Sequence, residues 1–142
     1  MSASVVALHR SHARRIPLET IEVAQVVESA GLQGDRHSKV GNRRALLLMD
    51  HEVLEQHGLS AGAVREQITV KGLDLPNLVF GTRLLVGGAV LEVGAPCAPC
   101  QWIDEIRSGL RAELQGRRGR FVRVLRGGSI AVGDAITVEK AI

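Results

Sequence analysis

The sequence predicts a mixed α/β but predominantly β domain, barrel-like in its closing strands, with a few short helices and one longer helix after Cys100. Three observations carry this expectation. The chain of 142 residues holds one Trp, two Phe and no Tyr, so its core must be built from Val, Leu, Ile and Ala, residues whose branched members favour pleated strands. Sixteen glycines provide the positive φ that tight hairpin turns need. Short aliphatic runs recur between those glycines, with no repeat, low-complexity stretch or linker to divide the chain. A single domain over residues 1–142 is expected, large enough to bury about two thirds of its unfolded surface without a disulfide or metal.

Taken in order, Ser4–Leu8 and Ile21–Val27 read as strands. Between them lies a basic loop expected to stay solvated, with His9, Arg10, His12, Arg14, Arg15 and Pro17. A glycine-bounded polar loop, Asp35-Arg36-His37, precedes Arg44–Met49, whose unbroken apolar character predicts a strand buried on both faces. Asp50 can cap a helix to about Gln56 with Gly58 as its left-handed stop, and Ser60 can cap another short turn. Gln67–Lys71 reads as a strand. The clearest hairpin is Arg83–Val86, Gly87-Gly88, Ala89–Val93, which delivers the chain to Cys97 and Cys100. Trp102, Ile106, Leu110 and Leu114 recur every fourth residue and predict one face of the longer helix, closed by Gly116. Arg120–Leu125 and Ala135–Val138 then read as closing strands.

The formal charge of +3, from 18 basic and 15 acidic residues, suits an anionic small molecule as well as a nucleic acid. Seven arginines fall between Arg107 and Arg126, but Phe121 is their only aromatic neighbour. The stacking platform for single strands is missing, so nucleic acid is disfavoured and a solvated basic face is expected. No apolar run approaches the roughly 20 residues of a spanning helix, and the N-terminus lacks a charged segment followed by an apolar signal core. A cytoplasmic, membrane-free protein is therefore expected.

Thiol chemistry is the leading functional signal. Cys97 and Cys100 are the only cysteines and lie in Gly94-Ala-Pro-Cys-Ala-Pro-Cys100, a spacing more often reactive or metal-binding than bridged in a reducing compartment. The helix expected after Cys100 would aim its N-terminal dipole at that sulfur and favour thiolate. Structural zinc would need two further ligands, and His37, His51 and His57 lack finger spacing. In the Asp35 to His37 loop, a carboxylate, a cation and an imidazole can converge on a ligand. Arg44, opening a buried strand, must pair with Asp35 or Glu66 or line the pocket rim; the rim is expected. Arg65 and Gln67 are placed to contact a phosphate or a ring edge, or Arg65 to pair with Glu66 or Glu52.

Several stretches in order resemble the MOSC domain family, named for the C-terminal domain of molybdenum-cofactor sulfurase. They are Gly34-Asp-Arg-His37 with Arg44-Ala-Leu-Leu-Leu, Val64-Arg-Glu-Gln-Ile-Thr-Val-Lys-Gly72, Val86-Gly-Gly-Ala-Val-Leu-Glu-Val93 running into Pro99-Cys100, and Gly119 to Val138. The resemblance implies a barrel-like fold and a small stand-alone member whose cysteine carries sulfur or meets a molybdenum cofactor (molybdopterin), an anionic pterin phosphate. Two positions depart from the pattern: Cys97 stands where the family often has Arg, and Gln67 where it often has Asn.

Combining both lines, the first expectation is a sulfur-carrier or sulfur-transfer domain. Cys100 would take sulfur from a pyridoxal-phosphate-dependent, cysteine-desulfurase-type partner, and Cys97 would resolve the persulfide. The second is a molybdenum-cofactor oxidoreductase module, with Cys100 the metal ligand and an electron-transfer protein as partner. The third is a non-enzymatic anion-binding module. Asp35, Arg36, His37, Arg44, Arg65 and Gln67 are the expected cofactor contacts.

Overall fold

The computed structural model describes residues 2–139. Its strands are β1 (Ala3–Arg10), β2 (Glu19–Ile21), β3 (Val23–Val26), β4 (Leu46–Asp50), β5 (Ile68–Lys71), β6 (Arg83–Val86), β7 (Ala89–Pro96), β8 (Arg120–Arg126), β9 (Gly128–Ala131) and β10 (Ala135–Glu139). Helix α1 spans His51–Gln56, α2 Ile103–Ile106 and α3 Leu110–Glu113. Seven strands in the order β10-β6-β7-β8-β4-β5-β1 close into a barrel, because β1 pairs with β10 through Ala3–Ile136 and Ser4–Ala135. Strand β2 extends the sheet beside the far half of β1, while β3 and β9 form a separate ribbon. The predominantly β, barrel-like expectation holds.

Strand β4 shows why its sequence is apolar at every position. Leu46 and Leu48 point into the aliphatic barrel core with Leu8, Leu84, Leu91 and Val124. The alternate residues point outward under other elements: Leu47 packs with Cys97 and Phe121, and Met49 with Leu54, Val64, Ile103, Leu110 and Leu114 beneath the helices. β4 also makes the parallel pair of this barrel, with β5, and α1 lies on the crossover that a parallel connection needs.

Four sequence expectations change. Ile21–Val27 is two strands, since β2 belongs to the barrel sheet and β3 to the ribbon. The basic loop is not uniformly solvated: His9 and Ser11 are buried, because β1 runs on to Arg10. The longer helix after Cys100 is two four-residue helices. It breaks where Arg107 is extended and Gly109 is left-handed, so Ile103 and Leu110 are buried while Ile106 faces solvent. The arginines from 107 to 126 are not one solvated face, since Arg118 and Arg120 are buried.

The Gly87-Gly88 and Gly127-Gly128 pairs meet each other. The Gly87-Gly88 turn crosses over β9, and a Cβ on Gly128 would overlap the carbonyl group of Gly88. Gly128→Ala is therefore expected to cost about 1–3 kcal/mol by overpacking, while Ser129→Ala on the same strand, exposed, stays within about 0.5 kcal/mol; thermal melts of the two variants check this. Asp50 shares the strand face of Leu46 and Leu48 and is buried with Oδ1 unpartnered among the described residues. Burial pushes its carboxyl up to about 6, reinforced by Glu52 and Asp74 against hydrogen bonds from the Leu75 and Asp50 amides. A folded-state value above the unfolded one gives stability that is full below about pH 4 and is lost as pH rises through about 6. Asp50→Asn should thus gain on the wild type by on the order of 1–3 kcal/mol between pH 4 and pH 8, read from urea unfolding across that range.

Candidate functional site

The ladder partner of β7 carries the chain past Pro96: the Cys97 amide still donates to the Gly119 carbonyl at 2.9 Å. Beyond it the chain leaves the sheet, and the Cys100 carbonyl accepts from the Ile103 amide at 3.0 Å, turning into α2. Cys97 therefore stays inside and Cys100 comes out. Burial pushes the Cys97 thiol up, opposed in part by the nearby Arg118 and Arg44 guanidiniums. The expectation that a helix dipole faces Cys100 fails, because a four-residue helix sums too few peptide dipoles.

What faces Cys100 instead is arginine. Cys100 opens onto a depression it shares with Arg14, Arg15, Trp102 and Glu105. The adjoining cleft, about 250 Å³, is lined by the same Arg14, Arg15, Trp102 and Glu105 together with Arg36 and Arg65. Arg14, Arg15 and Trp102 thus border both hollows, Arg36 and Arg65 line the cleft, and Cys100 lines the depression together with Asp104 and Glu105; Arg15 approaches Glu105 at 3.8 Å.

The cleft is held from below by Asp35, whose side chain is fully buried. It accepts from the Ser11 amide at 2.6 Å, the His37 amide at 3.0 Å, the His37 Nδ1 at 3.0 Å and the Gln67 Nε2 at 3.3 Å. Burial alone would raise this carboxyl, yet the hydrogen bonds from His37 and Ser11 hold it below the usual carboxylate range. Ser11 then turns its hydroxyl to both cleft arginines, accepting from Arg36 Nε and Arg65 Nη2 at 3.1 Å each. Arg65 also donates to the Ile16 and Ala13 carbonyls at 3.0 and 3.2 Å, tying the Arg14-Arg15 loop down. Burial, with Arg36 beside it, lowers the Arg65 guanidinium from its ordinary value. Like charges held this close favour an anion between them.

Of the residues singled out in the sequence, Arg36 and Arg65 line this cleft, and Cys100 lines the depression that adjoins it through Arg14, Arg15, Trp102 and Glu105. Asp35, His37 and Gln67 lie beneath it as its frame, the Gln67 Oε1 being taken by the Leu47 amide at 2.8 Å. Arg44, expected at the rim of the same pocket, is exposed and lines a different cavity: it stands over the Phe121 ring at 5.2 Å and pairs with neither Asp35 nor Glu66. Arg65 forms no ion pair with Glu66 or Glu52; Glu66 accepts from the Gly62 amide and Thr69 instead. Among the described residues no group of His, Cys, Asp and Glu is arranged to hold a metal ion. Arg14, Arg15 and Trp102 were not legible as site residues, since a basic loop and a helix-face tryptophan each have a commoner explanation in solubility or packing; the Arg14-Arg15 doublet was the one signal available.

The sequence matches the family model of the MOSC domain over residues 35–137. The chain belongs to the MOSC domain family. That family is associated with molybdenum-cofactor-related proteins. No curated protein matches the sequence significantly. Among solved structures, the fold is similar to YuaD from Bacillus subtilis, at 19% identity and a TM-score of 0.83, covering 100% of this chain and 98% of that one. It is also similar to YiiM from Geobacillus stearothermophilus, at 21% identity and a TM-score of 0.75, covering 97% of this chain and 75% of that one. For YiiM from Escherichia coli the values are 19% and 0.74, with 98% and 71% covered. These likenesses establish the fold. No helix among the described residues is long and apolar enough to cross a membrane.

The two thiols should separate cleanly. With iodoacetamide at pH 8, Cys100 in a Cys97→Ser variant should alkylate at least about tenfold faster than Cys97 in a Cys100→Ser variant, because burial both raises the Cys97 thiol and shields it while Cys100 is exposed. Intact-mass time courses measure both rates.

Proposed function

We propose that the protein binds an anionic, phosphate-bearing cofactor of the molybdenum type in the arginine-lined cleft, with Cys100 as the sulfur that meets its metal. The observation that carries this reading is the shared depression of Cys100, Arg14 and Arg15 beside Arg36 and Arg65. The donor set fits such a group. A thiolate is the metal-ligating form of cysteine, and guanidiniums match phosphate oxygens in pairs.

In this reading Arg36 and Arg65, fixed through Ser11, orient the phosphate end, and the exposed Arg14 and Arg15 close over it. Trp102 offers a flat apolar surface common to the cleft and the Cys100 depression. Asp35 keeps the Ser11 and His37 segments in register without reaching the ligand itself. When bound, such a cofactor supplies two-electron redox and atom-transfer chemistry. Electrons would come from a partner protein.

A second reading, sulfur carriage, is favoured by the exposure of Cys100. Its thiolate would attack the terminal sulfur of a donor persulfide, forming a new S–S bond while the donor's S–S bond breaks and the donor leaves as thiolate, with no net redox change. Resolution by Cys97 would require its thiolate to attack Cys100 Sγ, expel hydrosulfide and leave a disulfide. The burial of Cys97 beside Leu47 and Phe121 weighs against that step.

Gentle purification from a cofactor-making host, followed by molybdenum and pterin assay, tests the first reading. Wild type should carry both; Cys100→Ser should lose the metal, and the Arg14→Ala/Arg15→Ala double variant should lose most of the pterin as well. Wild type devoid of both overturns it. For the second, incubation with a cysteine desulfurase and cysteine should add one sulfur to the intact protein, and a Cys100→Ser variant that still gains it removes the carrier.

A further inference from the structure

The two phenylalanines of this aromatic-poor chain line one cavity, and it is not the Cys100 cleft. This cavity, about 600 Å³, is bounded by Arg43, Arg44, Phe80, Glu92, Phe121 and Arg123 and shares no lining residue with the Cys100 depression or its adjoining cleft. Its size falls in the range of small-molecule sites.

Each ring carries a guanidinium. Arg44 stands over Phe121 at 5.2 Å and Arg120 over Phe80 at 5.3 Å. Phe80 is 62% exposed, yet it does not sit on a loose loop. Arg120, itself buried, donates to the Leu75 and Leu78 carbonyls at 3.2 and 2.7 Å and to the Gly94 carbonyl at 2.7 Å. The Thr82 hydroxyl donates to the Val79 carbonyl at 2.6 Å, and the Gly81 amide to the Val93 carbonyl at 2.9 Å. A phenyl ring is thus fixed in solvent at the mouth of a cavity.

The polar groups there are mostly cationic and free. The Arg43 and Arg44 guanidiniums make no hydrogen bond or ion pair among the described residues, and Arg123 reaches Glu92 only at 3.8 Å. Glu92 is the one acceptor among them, able to take a ring or amino N–H.

We infer that this cavity is a second ligand site, for a planar heteroaromatic anion of about mononucleotide size. Phe80 and Phe121 stack or edge the ring, Glu92 accepts from its N–H, and Arg43 and Arg44 hold its phosphate or carboxylate. The inference uses none of the cleft residues and stands whether or not Cys100 meets a cofactor.

Amide-resolved NMR titration tests it, with adenosine monophosphate, adenosine, inorganic phosphate and orotate, a pyrimidine carboxylate with ring N–H groups, as probes. Adenosine monophosphate or orotate should shift the amides of Phe80, Gly81 and Ala95 and saturate. The first result assigns the site to nucleotides and the second to heteroaromatic carboxylates. Adenosine and phosphate alone should bind at least about tenfold more weakly, since each supplies half of the contacts. Phe80→Leu, which keeps an apolar side chain without the ring, and Arg43→Ala/Arg44→Ala should each weaken binding about tenfold. The Arg14→Ala/Arg15→Ala variant should leave it unchanged. Shifts confined to the Cys100 cleft, or none with any probe at about millimolar concentration, overturn the proposal.

Discussion

A buried carboxylate organises the arginine-lined cleft of this protein. Asp35 has no solvent contact of its own and satisfies its charge with donors from three places in the chain: Ser11 at the end of β1, His37 in its own turn, and Gln67 at the start of β5. Breaking such an arrangement by removing one partner leaves an uncompensated polar group in the interior, a cost of order 3–5 kcal/mol for a charge. The cost is high enough to fix the three segments relative to one another. That fixity is passed upward, since Ser11, anchored by its amide, offers its hydroxyl to both Arg36 and Arg65. Two cations that would otherwise separate are held beside each other.

The barrel explains why those three segments are neighbours at all. β1 lies between β5 and β10, so the end of β1 and the beginning of β5 are adjacent in space though far apart in sequence. β7 and β8 carry Cys97 to the neighbouring edge, where the ladder ends and the chain turns outward. Cys100 and the arginines meet because several strands end on one rim, a common way for a rigid scaffold to present loop residues.

Much of this framework was legible in the sequence. The Gly87-Gly88 hairpin, the closing strands and the doubly buried β4 all follow from local pattern, and the order of the motifs carried the family. Pattern failed where tertiary packing decides. The four-residue spacing of Trp102, Ile106, Leu110 and Leu114 predicted one helix, but a left-handed Gly109 lets Ile103 replace Ile106 against Met49. At the site, Cys100, Arg36 and Arg65 were legible because their motifs carry them. The separation of Arg44 from them was not, because proximity in a chain says nothing about which cavity a guanidinium will line.

The arginines show most clearly why net charge misleads. An excess of three positive charges suggests a weakly basic surface, whereas the structure sorts the guanidiniums by environment. Arg120 is buried and spends its donors on backbone carbonyls, so it behaves as a cross-link between the Leu75–Leu78 segment and β7. Arg118 is also buried; it donates to the Val64 carbonyl at 2.9 Å and lies against Trp102, leaving Nε and Nη1 without partners among the described residues. Arg14, Arg15, Arg36 and Arg65 converge on the thiol side, and Arg43, Arg44 and Arg123 on the phenyl side. Electrostatic potential at a point depends on nearby charges and their screening, within about 8–10 Å at ordinary salt. Two concentrated anion-attracting regions therefore coexist with a modest total charge, and it is the hydrogen bonds of Asp35 and Arg120, more than the composition, that decide where those regions lie.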